Sequence, residues 1–178
     1  MNTELLVKLT SKAWTLKILS LLYSGHTGKQ APLVAATGAS RTSFGASLNH
    51  LYELELIEKN PGHGHPLRPE FRLTVKGKVI ASMADRIIQL VPQEEMFDLV
   101  RKSWTVPVLA VTRQPARFSA IKSSLGTITD RALSQSLGAL EEREWLKREI
   151  DLSHRVPYPT YMAINTGGEI TQTVRQVS

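Results

Sequence analysis

Ala13-Trp14-Thr15-Leu16-Lys17-Ile18-Leu19 returns ninety positions later as Ser103-Trp104-Thr105-Val106-Pro107-Val108-Leu109, with the Trp-Thr pair in register. The likeness extends past this stretch. Leu48-Asn49-His50-Leu51-Tyr52-Glu53 aligns with Leu137-Gly138-Ala139-Leu140-Glu141-Glu142 at a spacing of 89, and Phe71 to Gly77 aligns with Tyr161 to Gly167 at 90. Solenoid repeats are shorter and more numerous, so a duplicated small domain is the better account. The expected organisation is one unit over residues 1–91, ending in a linker helix, and a second over residues 92–178, divided near Val91-Pro92.

Each copy carries the same order of patterns. Trp14, Ile18, Leu21 and Leu22 form the stripe of a helix packed on a core, and Trp104, Val108 and Val111 repeat it. Both tryptophans lie in that periodicity and are expected to anchor the core rather than to stack on bases or ligands. With Ser103 as cap, Pro107 falls in the first turn, where its missing N–H costs little. A second helix is predicted over Ala31 to Thr37 and again over Phe118 to Leu125, stopped by Gly38 and Gly126. The third helices start behind Ser40 and Thr129 and bury Phe44, Leu48 and Leu51 in one copy, Leu133, Leu137 and Leu140 in the other. Strands follow at Ile57 to Asn60 with Glu70 to Thr74, and at Leu146 to Ile150 with Thr160 to Ile164, each pair joined by a turn-rich segment. Helix, helix, helix, hairpin is the order of a winged helix. The expected fold is mainly α with small β-hairpin wings, arranged as two tandem winged helix-turn-helix domains. Only the first hairpin is followed by a long amphipathic stretch, Val75 to Leu90, with Ile80, Met83, Ile87 and Val91 on one side; the second has only Gly168 to Ser178. The helices Val75 to Leu90 and Gln93 to Lys102 are expected to form the seam between the units.

Composition narrows the partners. A total of 22 Lys plus Arg against 16 Asp plus Glu favours a polyanion without naming one. The excess sits early: eleven basic against six acidic residues before position 92, eleven against ten after it. Cysteine is absent, which excludes disulfides, thiolate metal sites and thiol redox sensing. No apolar run is long enough to span a membrane, and MNTELLVKLTSKAW lacks the order of a signal peptide, so a soluble cytoplasmic protein is expected. P-loop, dinucleotide, His-Glu-x-x-His and nucleophile-elbow motifs are all missing, so no enzyme, cofactor or catalytic residue is assigned. Glu94-Glu95 and Glu141-Glu142 read as solvated helix charges.

The second half resembles the HxlR family of winged-helix regulators. The likeness runs through Asp98-Leu99-Val100, Trp104-Thr105, Arg117-Phe118-Ser119-Ala120-Ile121 and Thr129-Asp130-Arg131-Ala132-Leu133-Ser134-Gln135-Ser136-Leu137. It continues through Leu140-Glu141-Glu142, Trp145-Leu146, Val156-Pro157 and Tyr161. The first half is less similar, keeping Trp14-Thr15, Leu48, Leu51, Leu56-Ile57 and Phe71 to Gly77, while its second helix departs. Members of the family are typically single-copy chains that work as homodimers. A chain with two copies therefore resembles a covalent pseudo-dimer, and the resemblance implies a double-stranded DNA partner.

Major-groove readers need a helix with one apolar face and short polar or basic groups opposite, because base edges carry the donor and acceptor code. With Leu133 facing inward, Arg131 and Gln135 lie on the far side of the third helix, flanked by Asp130 and Ser134. Arg suits guanine and Gln suits adenine. In the first copy the same face carries Thr42, Ala46 and Asn49 beside Arg41 and Ser43, a smoother surface with fewer long readers. Arg68 and Arg155 in the two wings are candidates for phosphate or minor-groove contact. The alternative is an ordinary solvated face. His63 and His65 have no third ligand nearby in sequence and are read as loop residues, not a metal site. Sparse aromatics argue against single-stranded nucleic acid. The rival function is a tandem winged-helix adaptor that binds proteins in a larger chromosome-associated or regulatory complex. No pattern identifies a small-molecule effector, and nothing decides for or against further homodimerisation.

Overall fold

The computed structural model describes residues 1–60 and 70–177. The chain opens with α1 (Thr3–Thr10), α2 (Thr15–Tyr23), α3 (Gln30–Thr37) and α4 (Arg41–Glu53), followed by the hairpin β1 (Ile57–Asn60) and β2 (Glu70–Leu73) and the long α5 (Val75–Leu90). A similar order then resumes: α6 (Glu94–Val100), α7 (Thr105–Val111), β3 (Ala116–Arg117), α8 (Phe118–Leu125), α9 (Asp130–Glu142), β4 (Leu146–Asp151), β5 (Tyr158–Ala163) and α10 (Asn165–Arg175). The protein is mainly helical with small antiparallel sheets, a make-up consistent with winged helix-turn-helix architecture.

Local chemistry sets the element ends. Gly38 and Gly126 close α3 and α8 at φ of 73° and 70°, a region that costs glycine nothing. Ser40 and Thr129 then cap α4 and α9, their hydroxyl oxygens each accepting from a backbone N–H at 3.2 Å, on Ser43 and Ala132 respectively. Behind these caps Phe44, Leu48 and Leu51, and likewise Leu133, Leu137 and Leu140, are buried. Thr74, expected as the last residue of the strand, lies just beyond β2 and caps α5 by accepting from the Gly77 N–H at 2.9 Å.

The same contacts recur about ninety residues apart. Thr15 Oγ1 donates to the Leu9 carbonyl at 2.7 Å, and Thr105 Oγ1 donates to the Leu99 carbonyl at 2.6 Å. Gly77 lies so close to the Leu56 carbonyl that a Cβ would sit 1.8 Å from its oxygen, and Gly167 stands in the same relation to Trp145 at 2.1 Å. In the hairpins Ile57 faces Leu73 and Leu146 faces Ala163.

Several sequence expectations change. The cap of α7 is Trp104, not Ser103, and it makes no side-chain cap bond; the Ser103 carbonyl instead accepts from Thr10 Oγ1 at 2.8 Å. Pro107 nevertheless stays in the first turn, buried. Trp14 and Trp104 are only half-buried, whereas Trp145 is enclosed. The second hairpin is shifted by one or two residues at its ends, because Ile164 caps α10 rather than extending β5. β3 has no counterpart in the sequence prediction: Ala116 and Arg117 pair with Tyr161 and Thr160, making β5 the central strand of three. In the first half, among the described residues, a single bridge stands there, between Lys29 and Glu70.

The seam between the halves also involves more than the two expected helices. α10 is a full helix from Asn165, not a short tail, and packs against α5. Arg86 Nη1 donates to Gln176 Oε1 beside this packing. α1 keeps contact with α2 but also reaches across to lie on α7 and α8, with Leu6 and Leu9 buried. In the other direction, Phe97 of α6 meets the Trp14 ring at 5.5 Å between centroids, and the Arg101 guanidinium lies over the same indole at 5.4 Å. The apolar interior is one continuous cluster across both halves.

Candidate nucleic-acid interface

α9 is held by its three buried leucines, and this turns Arg131, Ser134, Gln135 and Gly138 to solvent on the opposite side. Among the described residues, the Arg131 and Gln135 side chains have no hydrogen bond or ion pair. A glycine one turn beyond Ser134 leaves the helix surface low, and a Cβ there would meet nothing within 4 Å. Asp130 differs from the expected reader: its carboxylate takes the Lys122 ammonium at 2.7 Å, tying the end of α8 to the start of α9.

In the first half, Phe44, Ser47, Leu48 and Leu51 are buried, and Arg41, Thr42, Ser43, Ala46 and Asn49 are exposed. Ser43 is partly committed, its hydroxyl lying 3.1 Å from that of Ser40. His50 points away from this face and joins two helices. Its Nε2 lies 2.7 Å from the Lys8 carbonyl and 3.2 Å from Ser11 Oγ, which fastens α4 to the end of α1. The wing segment with Arg68, His63 and His65 lies outside the described residues.

The wing between β4 and β5 is described and organised. Asp151 Oδ1 accepts from the Ser153 N–H at 2.9 Å and from its hydroxyl at 2.6 Å, folding the strand end into a side-chain-stabilised turn. These Ser153 bonds, the hydroxyl foremost, hold the Asp151 carboxyl below the usual aspartate range, with His154 adding a smaller push in the same direction. His154 Nδ1 sits 3.0 Å from Ser153 Oγ and 3.1 Å from the Tyr158 hydroxyl. Desolvation, followed by the Asp151 carboxylate, raises the phenol of Tyr158, so it is neutral and able to donate at ordinary pH. Arg155 is exposed at the tip between Leu152 and Val156, both strongly exposed apolar side chains.

Sequence reasoning did not single out Arg117. It caps α8 in extended geometry, is exposed, and its guanidinium lies 4.8 Å over the Tyr158 ring, so β3 places a cation beside the wing. Its position at the head of Arg117-Phe118-Ser119 was the available signal. The structure thus gathers Arg131, Ser134 and Gln135 on one helix face and Arg41, Thr42 and Asn49 on another. Among the described residues no cluster of three or more His, Cys, Asp or Glu could hold a metal ion, and no helix is long and apolar enough to cross a membrane.

Residues 99–178 match the family model for HxlR-like helix-turn-helix proteins. No curated protein and no solved structure gives a significant match. The family match covers the half that carries α9 and the described wing, and it supports an HxlR-type, DNA-binding regulator of transcription.

Proposed function

We propose that this protein is a sequence-specific, double-stranded-DNA-binding regulator of transcription in which two winged-helix units in one chain act as a pseudo-dimer. The observation that carries the reading is the outward face of α9, where Arg131 and Gln135 stand free of any partner among the described residues on a helix whose other side is locked into the core. These are side chains suited to the major-groove edges of guanine and adenine. The pairing of units is supported by the recurring Thr15 and Thr105 bonds and by the Gly77 and Gly167 contacts. In this reading α4 and α9 enter successive major grooves about 34–36 Å apart. Arg155 and Arg117 contribute phosphate contacts, and Arg68 takes the equivalent role in the first wing. Regulation follows from occupancy of the site near a promoter.

The two faces differ in chemistry, so the two half-sites differ as well. α9 reads through long polar side chains, while Thr42, Ala46 and Asn49 allow close approach and leave more of the affinity to phosphates.

Titrating the protein against a fluorescent duplex from upstream of its own gene and against an unrelated duplex, at low and moderate salt, tests this. A preference that survives added salt is expected, together with about 1–3 kcal/mol lost for each of Arg131→Ala and Gln135→Ala on the preferred duplex only. Absence of binding to both duplexes would turn the assignment towards a protein-binding adaptor.

A further inference from the structure

The first half closes the packing of α2 on α5 with a polar lock. Asp85 Oδ1 accepts from Ser20 Oγ at 2.8 Å and Ser24 Oγ at 3.1 Å, while Oδ2 accepts from Gln89 Nε2 at 2.7 Å. Ninety positions on, the corresponding residues are Ala110 for Ser20, Gln114 for Ser24 and Arg175 for Asp85. The carboxylate has become a guanidinium and one of its serine donors a methyl group. α7 and α10 therefore meet without this lock and leave a cleft of about 220 Å³, which α1 covers from the other half of the chain.

Leu6, Ala110 and Val174 give an apolar side and Arg113 and Arg175 a cationic one, with Met1, Thr3 and Thr171 completing the lining; among the described residues no acidic side chain lines it. Among the described residues neither arginine has an ion-pair partner. Two exposed guanidiniums on the wall of one small cleft give it a positive potential that favours an anion, and a planar carboxylate matches their donor geometry. The volume lies below the range of drug-sized pockets, which restricts the guest to a small molecule.

We propose that the cleft between α1, α7 and α10 binds a small organic carboxylate, its charge held by Arg113 and Arg175 and its apolar part set against Leu6 and Val174. Because α1 belongs to the first half and α7 and α10 to the second, the guest bridges the two. The inference stands on this cleft alone and does not depend on DNA binding.

Amide-resolved NMR titrations of the full chain, without DNA, with acetate, hexanoate, benzoate and succinate, and with benzamide as a neutral isostere of benzoate, test it. At least one carboxylate is expected to saturate with shifts confined to α1, α7, α10 and the residues bordering them, Arg113 included. Benzamide is expected to bind about tenfold more weakly than benzoate or worse, and Arg113→Gln and Arg175→Gln each to weaken the best carboxylate by about tenfold or more. Both arginines are exposed, so these variants leave the core intact. Arg175→Lys is expected to retain part of the affinity. The proposal is overturned if none of the four carboxylates saturates, if shifts scatter over the basic surface, or if the double glutamine variant binds as well as the parent.

Discussion

Adding one methyl group at Gly77 or Gly167 places a carbon against a backbone carbonyl that has no room to retreat. The added Cβ of Gly77→Ala would stand 1.8 Å from the Leu56 oxygen, and that of Gly167→Ala 2.1 Å from the Trp145 oxygen and 2.9 Å from Leu109 Cδ2, where real contacts begin near 3.0 Å. The Leu56 carbonyl already accepts from the Thr74 N–H at 3.1 Å, and the Trp145 carbonyl from the Ile164 N–H at 2.9 Å. Moving either carbonyl strains the join between hairpin and following helix. Overpacking of this kind costs about 1–3 kcal/mol, and a weakened backbone bond adds roughly 1 kcal/mol. The better helix propensity of alanine returns about 1 kcal/mol, leaving a net loss of about 1–3 kcal/mol for each variant. For a chain of this size that corresponds to about 2–12 °C in Tm. Thermal unfolding followed by circular dichroism measures it, and the two effects should be similar and nearly additive because the sites share no partner. An unchanged or raised Tm in either variant would refute the reasoning.

Ser40→Ala and Thr129→Ala each remove a cap bond and should lower stability by about 1 kcal/mol, read from the midpoint of urea unfolding. Asp130→Asn releases Lys122 and removes a negative charge from the start of α9; duplex affinity at low salt should rise, with a steeper dependence on salt concentration measured by fluorescence anisotropy. For the wing the sign follows from Asp151, whose carboxyl is depressed in the folded chain. Its contribution is present above the ordinary aspartate range and lost as pH falls through the depressed value, so the Ser153 amide resonance should hold its position at neutral pH and move in acid, and Asp151→Asn should abolish that transition.

The third helices were legible in the sequence because caps, glycine stops and apolar spacing agree there, and α5 follows from a strong amphipathic run beginning after Thr74. β3 was not legible: two residues carry no period, and their strand character comes from Tyr161 and Thr160 more than forty positions away. α10 begins with Asn165, Thr166, Gly167 and Gly168, a poor helical opening, and forms because Ile170 and Val174 bury themselves against α5 and α7. The crossing of α1 is a tertiary fact for which its own pattern, apolar at Leu6 and Leu9, gives no address. At the candidate interface the helix wheel found the exposed faces. It did not find that Asp130 is tied to Lys122, or that Arg117 comes to lie over Tyr158, because both depend on how separate elements meet.

Arg86 and Gln176 stand ninety positions apart in the chain, and in space they touch. In a pair of identical subunits, a residue on the axis between them can face only its own copy, arginine against arginine or glutamine against glutamine. In the pseudo-dimer proposed above the two places are encoded separately, so one supplies the donor and the other the acceptor. On that proposal a single chain can make its two halves complementary where they meet, a freedom closed to any assembly built from one repeated sequence.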